Sequence, residues 1–166
     1  MSMSNRRKFL AGTSALAGMS FLSLTGCGKT TDSIRVGFML PYTGTYAKLG
    51  IAIENGFKLA LSELGENPFG KSIEFFAVDD ESNPAKATDN ANKIMTRDKV
   101  DVVIGTVHSG VAMGMIKVAQ ETGSLVIIPN AGANAATGAM CAPNVFRTSF
   151  SNWQPTHPLG RIMVKE

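Results

Sequence analysis

Between residues 34 and 128, short apolar runs alternate with stretches whose apolar residues recur every third or fourth position. That change of period separates buried strands from amphipathic helices. Ile34–Leu40 (IRVGFML) is apolar almost throughout, as a strand covered on both faces must be, and Pro41 ends it. From Tyr46 to Leu64, the residues Leu49, Ile53, Phe57, Ala60, Leu61 and Leu64 form one helical stripe, and Gly65 stands where a C-terminal stop belongs. Ile73–Val78 is the second strand, ended by Asp79-Asp80. Asn83-Pro84 then opens a second helix reaching about Asp98, with Asn as the cap and Pro in the first turn. Val100–Ile104, Ser109–Thr122 and Leu125–Ile128 give the third strand, third helix and fourth strand, and Val145–Arg147 a short fifth.

Repeated β-α units of this kind predict an α/β fold, a doubly wound parallel sheet with helices on both faces and right-handed crossovers. The 166 residues suffice for one domain. In the common 2-1-3-4-5 strand order, a ligand sits beyond the carboxyl ends of strands one and three.

The first 26 residues read as an export signal. Arg6-Arg7 precedes Phe9-Leu10 and an apolar, small-residue run to Leu24, the pattern of a twin-arginine leader. Sixteen residues at about 1.5 Å each span roughly 24 Å, short of the ~30 Å hydrocarbon core, so a permanent span is not expected. Leu24-Thr25-Gly26-Cys27 resembles a lipobox, which predicts a lipidated Cys27, a polar tether over 27–33 and a mature body over 34–166. Acyl chains on Cys27 would anchor the protein to a membrane. Cys141 is then the sole remaining thiol, in a loop without His or a second Cys nearby.

Charge narrows the partners. The chain has a formal net charge of +3, but three of its sixteen Lys/Arg and none of its thirteen Asp/Glu precede Cys27, so the body is neutral. No basic field awaits nucleic acid.

Three loops meet the expected ligand edge: Pro41–Thr45, Thr106–Gly110 and Asn130–Asn134, all rich in glycine and small polar residues. Ser109 is expected to cap the third helix, either for its own sake or as part of an anion site built from free amides. His108 has no apparent nucleophile or carboxylate partner, His157 lies in a Pro-flanked loop, and Asp79-Asp80-Glu81 reads as solvated carboxylates. Trp153 is either an aromatic wall for a ligand or a partly buried residue. No enzyme, metal site or cofactor is expected.

In sequence order, Pro41-Tyr42-Thr43-Gly44 with Ala47 and Gly50, Asn55-Gly56 with Leu59-Ala60 and Glu63, Asp79-Asp80 with Pro84, Ile104-Gly105 with Ser109-Gly110, Ile128-Pro129 with Ala131, and Phe146-Arg147-Thr148 resemble the leucine/isoleucine/valine-binding family of substrate-binding proteins for ABC importers. The resemblance covers 34–154 and implies the first lobe of a type I periplasmic binding fold, with the second lobe missing from a truncated chain. It implies a monomer in the periplasm that delivers a small carboxylate-bearing solute, an amino acid or an aromatic or other organic acid, to an inner-membrane permease. A sensing module of the same fold is the alternative. The resemblance places the solute's carboxylate on Ser109 and implies Tyr42, Gly110, Asn130, Ala131, Gly132 and Trp153 as the other contacts. Gly132 stands where that family usually has a hydroxyl, and Asn130 brings an amide. A single lobe is expected to bind the solute weakly or not at all.

Overall fold

The computed structural model describes residues 33–65 and 70–165. The expected signal (1–26), Cys27 and nearly all of the tether lie outside the described residues.

The strands are β1 (Ser33–Leu40), β2 (Ser72–Asp79), β3 (Val102–Gly105), β4 (Leu125–Ile128) and β5 (Val145–Arg147). They form one fully parallel sheet in the order β2-β1-β3-β4-β5. The helices are α1 (Ala47–Leu64), α2 (Ala87–Asn92), α3 (Ser109–Thr122) and α4 (Trp153–Met163). The α/β doubly wound lobe and its strand order are thus as the sequence predicts. The second helix is not one regular helix to Asp98. A 3₁₀ turn at Pro84–Lys86 leads into α2, which widens into a π-helical stretch at Lys93–Arg97. Asn83 does cap the segment, its side chain accepting the Ala85 amide at 2.9 Å.

Alternation along the strands sorts the core into two layers. Met39, Val78, Val103, Val126, Ile128 and Val145 meet α2 and α3 on one face, where Ile94, Val111, Met115 and Ile116 are fully enclosed. Val36, Phe38, Leu40 and Ile104 meet Ile53 and Phe57 of α1 on the other. Phe38 sits 5.4 Å from Phe57 edge-on and 5.8 Å from Phe75 in a stack. The α1 stripe is only partly covered, because the sheet under it is narrow: Ile53, Phe57 and Leu61 are half-buried, whereas Leu49 and Leu64 are exposed. On that same face Leu125 and Phe146 are exposed as well.

Two glycines set how closely elements approach. A β-carbon at Gly50 of α1 would collide with the Pro41 carbonyl oxygen, so the helix can cross the end of β1 only without one. At Gly114 of α3 a β-carbon would lie 2.6 Å from that of Ala87, which is how α2 and α3 pack backbone to backbone.

Candidate functional site

The sheet order reverses direction between β1 and β3, and the space outside their carboxyl ends is where an open parallel sheet holds a ligand, the crevice of such folds. Its near wall is the loop after β1. Asp79 at the end of β2 holds this loop: its carboxylate accepts the Tyr42 amide at 2.9 Å, the Thr43 hydroxyl at 2.7 Å and the Glu81 amide at 2.9 Å. Burial works against the Asp79 anion, but the Thr43 hydroxyl and the amides of Tyr42, Glu81 and Thr43 outweigh it and hold the carboxyl below its usual range.

Tyr42 turns away from the crevice. Its ring joins the α1 layer and its hydroxyl donates to Glu54 of α1. Burial first, then the Glu54 carboxylate and the nearby Asp79 and Asp80 charges, push this phenol far above its ordinary range. Glu54 in turn lies 2.5 Å from Lys58.

The opposite wall is the entrance to α3. The cap here is His108, not Ser109. Backbone at His108 is extended, and its Nδ1 accepts the Gly110 amide at 3.1 Å while its carbonyl accepts the Ala112 amide at 3.0 Å. The Ser109 hydroxyl, one residue later, is an equally good cap by residue type, and nothing local in the sequence separates the two. Ser109 becomes the first helical residue. Among the described residues, its half-buried hydroxyl and its amide have no hydrogen-bond partner, a combination that suits an anion at a helix N-terminus. The His108 ring faces Tyr46, centroids 6.2 Å apart, so the two loops converge. Tyr46 was not singled out in the sequence, where it reads only as the start of a helix.

The floor comes from the loop after β4. Ala131 is buried and its amide donates to the Thr106 carbonyl at 3.0 Å, tying β4 to β3. The Asn130 carbonyl accepts the Ser149 hydroxyl at 3.2 Å, and the half-buried Asn130 side chain has no hydrogen-bond partner among the described residues. Gly132 is buried under Asn152, whose amide donates to the Gly132 carbonyl at 2.7 Å and whose side-chain oxygen fills the space of a β-carbon at 132. A larger residue there has no room.

Trp153 opens α4, its amide donating to the Asn134 side chain at 3.0 Å. Its indole is 55 % exposed and stacks on His157, centroids 4.5 Å apart. His157 therefore lies in a helix and not in a loop. Pro155 falls in the first turn, where a missing amide costs nothing, and Pro158 removes a single bond from inside the helix.

The acidic turn after β2 also differs from expectation. Asp80 is fully buried instead of solvated, accepting the Ser82 amide at 2.8 Å and a hydrogen bond from the Thr106 hydroxyl. Burial pushes its carboxyl above the ordinary aspartate value, and the charge of Asp79 adds to that. The periodic pattern ends at Val78, so the sequence carried no sign of it. Cys141 is free and exposed. Among the described residues no three His, Cys, Asp or Glu side chains could share a metal ion.

The β1 and β3 loops of this parallel sheet thus converge at the start of α3. The chain belongs to the periplasmic binding protein family, which matches it over residues 33–166. It is 30 % identical to the Leu/Ile/Val-binding protein BraC3 of Rhizobium johnstonii over 134 residues, 80 % of this chain and 36 % of that protein. A solved ABC-transporter solute-binding protein of R. palustris in complex with benzoate is 54 % identical, with a TM-score of 0.76 over 80 % of this chain and 37 % of that one. A solute-binding protein of Rhodopseudomonas palustris BisB5 in complex with 3,4-dihydroxybenzoic acid is 31 % identical, with a TM-score of 0.67 over 72 % and 32 %. The chain thus spans about a third of the length of the relatives it matches.

Proposed function

We propose that this chain is the first lobe of an extracytoplasmic solute-binding component of an ABC importer, and that its solute is a small aromatic carboxylate of the benzoate class. One observation carries the reading: the Ser109 hydroxyl and amide stand without partners at the start of α3, beside the crevice between β1 and β3. A carboxylate there gains two donors and the positive end of the helix dipole. Asn130 supplies a further polar contact. Tyr46 and Trp153 offer aromatic surface for a ring, while Tyr42, Gly110, Ala131 and Gly132 act as the frame that holds these groups. The 54 % identity to a benzoate complex favours the aromatic acid over an α-amino acid. Export, lipidation of Cys27, delivery to an inner-membrane permease and a monomeric state belong to the same proposal.

An NMR titration of the purified chain tests it. Benzoate is expected to shift the Ser109, Gly110 and Asn130 signals with an affinity near ~1 mM, since a single lobe encloses only part of a ligand that a complete pocket would bury. Equal concentrations of leucine are expected to leave them in place. Leucine shifting them while benzoate does not would reassign the solute, and silence from both would remove the site.

A further inference from the structure

Asp80 and Thr106 are the only buried polar or charged residues among the described ones, and they are bonded to each other. Taking a carboxylate and a hydroxyl out of water costs stability that an apolar pair of similar shape would not. The pair therefore needs a reason beyond cohesion, and its bonds supply one. The Asp80 amide donates to the Leu40 carbonyl at 3.0 Å, which fixes the end of β1. The Asp80 carboxylate takes the Ser82 amide on one oxygen and the Thr106 hydroxyl on the other, fixing the ends of β2 and β3. The Thr106 carbonyl receives the Ala131 amide at 3.0 Å, fixing the end of β4. Four strand ends thus meet at one pair, two residues before the His108 cap and three before Ser109.

We infer that Asp80 and Thr106 are the positioning residues of the crevice: fully enclosed, they touch no solute, but they set the loop that carries Ser109 against the loop that carries Asn130. The inference rests on the solute-site reading above.

Amide hydrogen exchange on the full, unliganded chain tests it, comparing Asp80→Ala, Thr106→Val, Thr106→Ser and a distant core control, Ile94→Val. Losing the hydroxyl bond is expected to speed exchange at Ala131 about tenfold relative to the core amide of Val103 in Thr106→Val and Asp80→Ala. Thr106→Ser, which keeps the hydroxyl, is expected to stay within about twofold of wild type. Ile94→Val should lower overall stability without singling out Ala131. Wild-type protection of Ala131 in Asp80→Ala, or equal acceleration in Thr106→Ser or Ile94→Val, would overturn the inference. Should Thr106→Val fail to fold, the other three decide alone. Because no ligand enters this comparison, a wild-type chain that ignores benzoate would sink the solute reading and leave the coupling measurement standing.

Discussion

The Asn152 amide bonds to the Gly132 carbonyl at 2.7 Å, and the Asn152 side chain lies where a β-carbon at position 132 would be. This contact is what brings the start of α4, and with it Trp153, up to the loop after β4. The loop seemed in the sequence to lack a hydroxyl at 132. Its glycine is instead the seat of a neighbouring side chain.

Gly132→Ala tests that seat. Overpacking against Asn152 is expected to cost about 1–3 kcal/mol, and to lift α4 from the loop. Trp153 is the only tryptophan, so its emission reports the displacement directly. A variant with wild-type emission and denaturation midpoint would mean that Asn152 moves aside freely.

Two glycines of α1 should respond in opposite directions to the same change. Gly56 has open space where a β-carbon would go, so Gly56→Ala is expected to stabilise by about 0.5–1 kcal/mol through helix propensity. Gly50→Ala gains the same propensity but drives a methyl into the Pro41 carbonyl, and is expected to lose about 3 kcal/mol or more. Urea titrations of the pair separate packing from propensity, and a like sign for both would contradict the close crossing of α1 over β1.

Ser109→Ala separates cap from site. Because His108 fills the cap, the loss is expected to change stability by no more than about 0.5 kcal/mol. The same variant should weaken benzoate binding about fivefold to tenfold through one lost hydrogen bond. A stability loss near 1 kcal/mol or above would return the capping role to Ser109.

The adjacent carboxylates should impose opposite acid responses. Asp79 titrates below its usual range when folded, so its contribution to stability is present above the ordinary aspartate value and is lost as the pH falls through the lowered one. Asp80 titrates above its usual range, so its contribution is present in acid and is lost as the pH rises through the raised value. Denaturant midpoints of Asp79→Asn and Asp80→Asn across about pH 3–7 are expected to diverge. The penalty of Asp79→Asn should shrink toward acid, and that of Asp80→Asn should shrink toward neutrality. Parallel profiles would show that the two share one environment.

The sequence by itself determined the five strands, the helices α1 and α3 and their order, but not the broken course of the second helix or the existence of α4. A run such as IRVGFML can satisfy its backbone and bury both faces only inside a parallel sheet, and Pro41, Asn83-Pro84 and Pro129 act on their own neighbours. These are short-range effects, legible one segment at a time, and the crevice follows from the winding that they impose. Tertiary structure alone decided which side chains were free to serve it. The Ser109 hydroxyl is left open because the residue before it already caps α3, and Tyr42 turns outward because Glu54 waits on α1. Asp80 is enclosed because Thr106, 26 positions away, arrives beside it. Each depends on a partner brought near by strand pairing, and a hydrogen bond between distant residues leaves no periodicity for the sequence to show.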